Sequence, residues 1–326
     1  MQSVLERAAS QARDLLGAAR RVTCICHRNP DGDAIGSLLG MGLLLEQQFP
    51  NIPVSFHCVD PVPEMLSFLP SSPRVQLPPV HAPGDVTIFL DCAEQKLTKL
   101  TESHPHLFDG TVPSVNIDHH PDNPRFGTVN IVIPEASSTC EIVTSLADLL
   151  AWPIDDDIAT CLLTGVYTDT GGLLHSNTTV DVYRTVARLL RAGACHQLIV
   201  TSIFRTASMS TLKLWGRVLE KISITKEGAA ISAVTEGDFR ATGADYAELA
   251  GAIDYVNAVP GMRFSLILSE RDGMVKGSLR TLRDDVDVSR MAGQFSGGGH
   301  RKAAGFAVSG HLQPEVRWNV VEDTKD

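Results

Sequence analysis

The chain has 326 residues, of which 43% are hydrophobic and 20% are charged, and its formal net charge at pH 7 is −10. This composition is typical of a globular protein of about two domains and excludes disordered and fibrous classes. The acidic balance excludes a chain-wide basic surface of the kind that binds long duplexes, so a polyanionic substrate must meet a local site.

The cysteine usage and the hydropathy predict a cytoplasmic protein without a membrane partner. Seven cysteines are scattered without CxxC spacing, which argues against a disulfide framework or a zinc ribbon. The first residues have an amphipathic helical period but lack the apolar core of a signal peptide. The longest apolar stretch, residues 38–45, ends at Glu46 and is too short to cross a membrane.

The first part of the chain alternates short β-rich runs with helical patterns. The predicted strands are residues 21–26, 53–58, 86–90, 113–117 and 129–133. The predicted helices are residues 34–48, 137–150, 155–167, 180–192 and 212–222. Because the strands are apolar and alternate with helices, the sequence predicts an α/β fold with a mostly parallel sheet covered by helices.

The pattern changes after about residue 222. The predicted strands are now residues 229–234, 263–269, 274–279 and 305–308, and the predicted helices are residues 245–259 and 286–295. We therefore predict a larger domain at 1–190, a helical linker at 191–222 and a smaller α/β domain at 223–326, with a cleft between the two domains.

The first candidate site is the segment HRNPDGDAIGS, which follows the first predicted strand and precedes a helix. Open parallel sheets bind ligands at this carboxyl edge. His27, Asp31 and Asp33 stand within seven residues there and are suited to a divalent metal ion. The structural alternative is a polar turn in which Asp33 caps the helix.

Three further motifs place acidic or imidazole side chains at the ends of predicted elements. Asp91 follows the run VTIFL, and Asp118, His119 and His120 follow SVNI. Asp169 ends a predicted helix, where a carboxylate opposes the helix dipole and needs a compensating cation. Each motif alone also suits a cap or a structural histidine, so the prediction depends on their coincidence.

The candidate metal ligands are four aspartates and two histidines: His27, Asp31, Asp33, Asp91, His119 and Asp169. Carboxylates crowded together repel one another unless cations neutralise them. Six ligands are too many for one catalytic zinc ion and suit a two-metal centre with a bridging aspartate. Imidazole and carboxylate donors without thiolate favour Mn²⁺, with Mg²⁺, Co²⁺ or Fe²⁺ as alternatives.

These motifs closely resemble those of the DHH phosphoesterase superfamily, named after the motif present here as Asp118-His119-His120. The segments HRNPDGDAIGS, DCAEQ, NIDHH and GVYTDTGG resemble the family's successive motifs in order, and GGGHRKAAGF resembles the signature of the DHH-associated C-terminal domain. The pairing of these domains resembles the nanoRNase and pAp-phosphatase (NrnA-like) branch. Residues 172–174 depart from that branch, which often has an aromatic residue there.

The resemblance implies a role for each candidate residue. One metal ion would be held by His27 and Asp31, the other by Asp33, His119 and Asp169, and Asp91 would bridge them. A bridging water of lowered pKa would be the nucleophile, so no serine or cysteine nucleophile is required. Asp118 would orient a ligand from the second layer, and His120 would stabilise charge or protonate the leaving oxygen beside the scissile phosphate.

The C-terminal motif GGGHR, residues 297–301, has a different role. Its glycines let the backbone approach a ligand closely, and their amides can form an anion-binding nest, although a flexible turn is the alternative. Together with His300, Arg301 and the predicted strand that carries Ser278 and Arg280, we expect the motif to form a surface that binds the phosphate and base distal to the bond that is cut. The candidate substrate-binding residues are Ser278, Arg280, Gly298, Gly299, His300 and Arg301.

The resemblance implies a metal-dependent enzyme that hydrolyses short oligoribonucleotides to 5′-mononucleotides and dephosphorylates pAp to AMP. Its partners would be short single-stranded RNA or a nucleotide phosphate, not duplex nucleic acid, and a homodimer is left open. One alternative is a phosphodiesterase for cyclic dinucleotides or their linear products. A family II pyrophosphatase shares the metal motifs but lacks the GGGH type, and the complete ligand set disfavours a sensor with an inactive centre.

Overall fold

The computed structural model describes residues 2–76, 84–204 and 207–313. The chain divides into two compact units, Met1–Thr206 and Ala207–Asp326. Each unit contains a six-stranded sheet. The division falls inside the segment 191–222, for which the sequence predicts a linker.

The first unit is built on a fully parallel sheet. Its strands are β1 (Arg21–Cys26), β2 (Val54–His57), β3 (Val75–Gln76), β4 (Asp85–Leu90), β5 (Ser114–Asp118) and β6 (Val129–Val132). The strand order is β3-β2-β1-β4-β5-β6, and every neighbouring pair is parallel. The predicted α/β sheet is therefore confirmed. The order reverses between β1 and β4, and a doubly wound sheet opens a ligand crevice at the carboxyl ends of such strands.

Helices surround this sheet: α1 (Gln2–Gly17), α2 (Gly32–Gln48), α3 (Thr139–Leu149), α4 (Asp156–Asp169), α5 (Val180–Arg191) and α6 (His196–Ile199). Helix α2 is almost entirely buried, and each fully buried leucine or isoleucine stabilises the unit by about 1.5–3 kcal/mol. Gly36 permits its close approach to α4, because a Cβ there would lie 2.5 Å from the Cys161 carbonyl oxygen. This packing sets the first turn of α2 beside the C-terminal part of α4.

The second unit has a mixed sheet. Its strands are β7 (Ser223–Ile224), β8 (Ala229–Val234), β9 (Phe264–Arg271), β10 (Met274–Arg280), β11 (Gly298–His300) and β12 (Ala303–Ser309), in the order β11-β12-β10-β9-β8-β7. Only the β8–β9 pair among these described strands is parallel. The glycine motif, for which a turn was one alternative, forms the edge strand β11.

The helices of the second unit are α7 (Met209–Glu220), α8 (Glu236–Thr242), α9 (Ala252–Asn257) and α10 (Val288–Gly293). Leu214 and Val218 of α7 pack with Ile267 of β9, so the second half of the predicted linker belongs to the core of this unit. The predicted helix 245–259 is wrong as one element. A short 3₁₀ turn, Tyr246–Leu249, precedes α9, and Gly251 between them has a φ of +86°, which no continuous right-handed helix accommodates.

All seven cysteines are free. Within the ranges that the structure describes, no helix is both long enough and apolar enough to span a membrane.

Candidate metal centre

The turn from β1 into α2 positions the first three candidate ligands. Asp31 is the N-cap of α2, and its Oδ1 accepts hydrogen bonds of 3.0 Å from the amides of Asp33 and Ala34. The cap is therefore Asp31, and the sequence-based alternative that assigned it to Asp33 is wrong. The backbone amide of Asp33 donates to this cap. The carboxylate of Asp33 is fully buried and accepts hydrogen bonds from the amides of Thr139 and Cys140.

His27 follows β1 directly, and its ring orientation is determined by the backbone. Nδ1 lies 2.7 Å from the carbonyl oxygen of Arg28, which can only accept, so Nδ1 carries the proton. The other ring nitrogen, Nε2, lies 3.4 Å from Oδ2 of Asp91 and 4.0 Å from Oδ1 of Asp31. A hydrogen bond at one imidazole nitrogen commonly directs the other nitrogen to a metal ion.

Asp91 stands at the centre of the cluster. It follows β4, the neighbour of β1 at the switch point, and is 2% exposed. Its φ of +58° is in the left-handed region, which aspartate tolerates better than most residues. Besides His27, its Oδ1 lies 3.6 Å from Nε2 of His119 and 3.7 Å from Nδ1 of His120. One carboxylate thus faces three imidazoles.

The DHH motif splits into two parts. His119 Nε2 lies 3.3 Å from Oδ2 of Asp169, the last residue of α4, so an imidazole lies beside the carboxylate that opposes the helix dipole. The side chain of Asp118 pairs with His120. Its Oδ1 accepts a 2.8 Å hydrogen bond from His120 Nδ1, and its Oδ2 accepts one of 2.6 Å from Asn123 Nδ2. Asp118 therefore orients His120.

The structure brings the six predicted ligands and His120 together in three overlapping groups. In each group the ligand atoms lie within 4.8 Å of one another, and the groups are His27–Asp31–Asp91, Asp33–His119–Asp169 and Asp91–His119–His120. The first group has the composition of one metal site implied by the resemblance, and the second group has that of the other site without the bridging Asp91. Asp91 and His119 each belong to two groups, which makes them the central donors of the cluster.

The electrostatics of the cluster fit divalent cations. Burial and the charges of nearby aspartates raise the pKa of Asp33 and that of Asp169 well above their ordinary values. Burial also raises the pKa of Asp91, but the hydrogen bond from His27 and the three imidazoles outweigh it and lower that pKa to about 2. The six candidate ligands are four aspartates and two histidines, so their carboxylates carry more charge than the imidazoles can neutralise, and this donor set fits divalent cations.

Asp91 also raises the pKa values of two of the three histidines in the cluster, His27 and His120. Burial lowers the pKa of His27, but the hydrogen bond and charge of Asp91 outweigh it and raise the pKa to about 9. The pKa of His120 is likewise raised to about 9, because Asp118 and Asp91 outweigh burial. Clusters of perturbed groups of this kind are typical of functional sites.

Two asparagines of the site were not singled out by sequence reasoning, and Thr139 was predicted only as part of a helix cap whose hydroxyls could meet phosphate. Asn123 supports Asp118, and Asn177 Nδ2 donates to the carbonyl oxygens of Asp169 (3.2 Å) and Ser137 (3.3 Å). Thr139 Oγ1 donates a 3.0 Å hydrogen bond to Oδ1 of Asp91. The run SST before α3 signals a helix cap in the sequence, and an asparagine in a loop carries no signal of its own.

The candidate substrate-binding residues lie together on the sheet of the second unit. Ser278 and Gly298 both face Gly305 across their strands, and Arg280 and His300 both face Ala303. Since paired residues of antiparallel strands project to the same face, these positions share one face of the sheet. Gly298, Gly305 and Ala303 at these positions have little or no side chain. Arg301 lies in the hairpin turn, where its Nη2 donates to the carbonyl oxygen of Asp284.

The parallel sheet and the aspartate–histidine cluster at its switch point define a metal-dependent hydrolase of phosphate esters. The chain belongs to the DHH family: the model of the DHH family, N-terminal domain, matches residues 21–166, and that of the DHHA1 domain matches residues 227–323. The predicted family and the predicted phosphoesterase class are therefore confirmed.

Relatives match over most of the chain. A bifunctional oligoribonuclease and PAP phosphatase NrnA from Thermus thermophilus is 35% identical and covers 92% of this chain and 88% of that relative. The protein of the same name from Bacillus subtilis is 26% identical, with coverages of 88% and 89%. The crystal structure of an exopolyphosphatase-related protein from Bacteroides fragilis is 26% identical and matches 95% of this chain and 92% of that protein with a TM-score of 0.84.

Proposed function

We propose that this protein is a two-metal phosphoesterase that hydrolyses short oligoribonucleotides to 5′-mononucleotides and removes the 3′-phosphate from pAp. The observation that carries the proposal is the position of Asp91, a buried carboxylate that shares its two oxygens between His27 on one side and His119 on the other. The names of the relatives from Thermus thermophilus and Bacillus subtilis support this choice of substrates.

In this proposal the ligand sets are those of the first two groups. His27 and Asp31 would hold one ion, Asp33, His119 and Asp169 would hold the other, and Asp91 would serve both. The preferred ion is Mn²⁺, with Mg²⁺, Co²⁺ or Fe²⁺ as alternatives. When bound, the ions neutralise phosphate charge and lower the pKa of a water molecule, which supplies the nucleophile at neutral pH.

His120 acts on the substrate in a fixed orientation. Its Nδ1 donates to Asp118, which is fully buried and held from its other oxygen by Asn123. Nε2 is therefore the atom of His120 that meets the substrate, where it stabilises charge on the phosphate or donates a proton to the leaving oxygen. Asp118 acts through His120 and has no contact with substrate in this proposal.

The second unit binds the part of the substrate away from the reacting phosphate. Arg280 and His300 flank a row of small residues, so a phosphate group or ribose can approach the backbone of the β11–β12 hairpin. Edge strands leave backbone amides on their outer side without a strand partner, and β11 is such an edge. Short single-stranded RNA is the proposed partner. Cytoplasmic location and a homodimer remain predictions.

The test offers purified protein with Mn²⁺ three substrates side by side: end-labelled RNAs of graded length, pAp and cyclic dinucleotides. We expect release of mononucleotides from the shortest RNAs and AMP from pAp, with little product from the cyclic dinucleotides. The variant Asp91→Asn, purified in the same way, controls for contaminating nucleases. If only the cyclic dinucleotides were hydrolysed, the proposed substrates would be wrong and the protein would be a cyclic-dinucleotide phosphodiesterase.

A further inference from the structure

The first turn of α3 contacts two metal-ligand candidates that belong to different parts of the chain. The backbone amide of Thr139 donates to Oδ2 of Asp33 (2.6 Å), and the amide of Cys140 donates to Oδ1 of the same carboxylate (2.9 Å). The hydroxyl of Thr139 donates to Oδ1 of Asp91 (3.0 Å). Asp33 begins α2 and Asp91 follows β4, so one residue of α3 links both.

These contacts are additional to the capping of α3. The cap is Ser138, whose hydroxyl accepts a 3.1 Å hydrogen bond from the amide of Glu141, and the Glu141 carboxylate in turn accepts from the amide of Ser137. A helix start leaves its first amides without partners inside the helix. Here the two foremost of these amides donate to Asp33, and the Thr139 hydroxyl, which the cap does not need, donates to Asp91.

The arrangement leaves room for a metal ion on each carboxylate. An ionised carboxylate offers about four acceptor positions, and the amides of α3 occupy two of those on Asp33. Thr139, Asp33 and Asp91 are at most 2% exposed, so water does not compete for the contacts. Buried donors and the positive end of a helix stabilise the charged form of such carboxylates and restrict their rotation.

We propose that Thr139 is a positioning residue of the metal centre, holding Asp33 through its backbone amide and Asp91 through its hydroxyl so that both present their free lone pairs to the ions. The proposal rests on the proposed function, since it assigns Thr139 a role toward the two-metal centre. Thr139 touches neither the ions nor the substrate, and its effect on the reaction runs through the two aspartates.

The test compares Thr139→Val, which removes the hydroxyl at almost constant shape, with Thr139→Ser, which keeps it. The matched control is Thr144→Val on the same helix, because Thr144 is equally buried but donates its hydroxyl to the carbonyl oxygen of Cys140 and contacts no ligand. The readouts are Mn²⁺ affinity by calorimetric titration of metal-free protein, the urea midpoint of that protein, and kcat and KM for pAp.

We expect Thr139→Val to weaken Mn²⁺ binding about 10-fold or more, in the range found for residues that support metal ligands, and to lower kcat at fixed Mn²⁺ with KM little changed. Thr139→Ser should restore Mn²⁺ affinity to within about threefold of the parent protein, since the donor is kept. Thr144→Val should lower the urea midpoint and leave the Mn²⁺ affinity unchanged.

Equal Mn²⁺ affinity in Thr139→Val and Thr144→Val would overturn the proposal and leave Thr139 a structural residue. A loss in Thr139→Ser as large as that in Thr139→Val would also overturn it, because the methyl group and not the hydroxyl would then matter. If Thr139→Val does not fold, Thr139→Ala removes the same hydroxyl without added bulk. Absence of Mn²⁺ binding or turnover in the parent protein would count against the proposed function itself, a result distinct from either outcome above.

Discussion

The two candidate surfaces of this protein are constructed in opposite ways. In the first unit the ligands Asp33 and Asp91 are buried and hydrogen-bonded by Thr139 from a third element. In the second unit the candidate contacts lie on exposed strand β11 and its hairpin, and Gly298 and His300 are exposed. A site that holds ions requires carboxylates in fixed positions, whereas a site that accepts variable nucleotides requires accessible backbone and a few charged side chains.

The largest effect should come from the central carboxylate. Asp91→Asn keeps the size of the side chain and its tolerance of positive φ but removes the charge shared by both groups. We expect hydrolysis to fall about 1000-fold or more, since the charge stabilisation that metal ions provide is worth several kcal/mol. Metal content, measured by elemental analysis, should fall more in Asp91→Asn than in His119→Ala. The exposed carboxylate variant Asp109→Ala is the control, and near-normal turnover in Asp91→Asn would refute the two-metal assignment.

The second unit should show a smaller and more selective effect. Arg280→Ala or His300→Ala should lower kcat/KM for pAp about 10- to 100-fold, as expected for a lost hydrogen bond to a charged group, with unchanged metal content. A small ester such as bis-p-nitrophenyl phosphate offers little for this surface to bind and should be affected much less. Lys276→Ala, exposed on the same strand and face, is the matched control. Equal losses for both esters would assign Arg280 to the catalytic or structural core.

The dependence on RNA length tests how local the second surface is. With a net charge of −10, and two arginines and one histidine among the candidate substrate-binding residues, affinity should come from terminal phosphate and base contacts. The rate per RNA end should therefore fall steeply beyond about five nucleotides and depend only weakly on salt. The measurement is single-turnover hydrolysis of a length series at two salt concentrations. A long strand cleaved as fast per end as a dinucleotide would contradict a local surface.

The smallest effect concerns the stability of the second unit. The hydroxyls of Ser208, Thr211 and Ser210 and the amide of Asp245 donate to Glu248, and these hydrogen bonds lower its pKa from 4.5 to about 2. Because the pKa of the folded state is the lower one, this stabilisation is fully present above pH 4.5 and is lost as pH falls toward 2. Glu248→Gln should flatten the acid dependence of the Tm of this unit.

The control for that measurement is Glu227→Gln, an exposed glutamate of the same unit. Calorimetry from pH 7 to acid should give parallel curves for this control and the parent protein. A Glu248→Gln protein with an unchanged acid transition would show that this carboxylate contributes nothing to the stability of the second unit.

The sequence by itself determined the parallel sheet and the positions of its ligands along the chain. Apolar strands alternating with helices leave few other folds, and a polar residue directly after such a strand must lie at the carboxyl edge of the sheet. This reasoning predicts that His27, after β1, and Asp91, after β4, lie close together at the carboxyl edge of the sheet. The sequence also suffices to identify the family, because the family's motifs are short local patterns that can be read without the structure.

Only the tertiary structure decided which atoms meet. The contact of Thr139 with Asp33 spans 106 positions of sequence, and the pairing of Asp118 with His120 depends on ring orientations within the fold. The predicted helix 245–259 failed for a related reason, since the φ of Gly251 breaks a pattern that otherwise has helical periodicity. Local periodicity determines elements, whereas distances between side chains from separate elements depend on how the whole core packs.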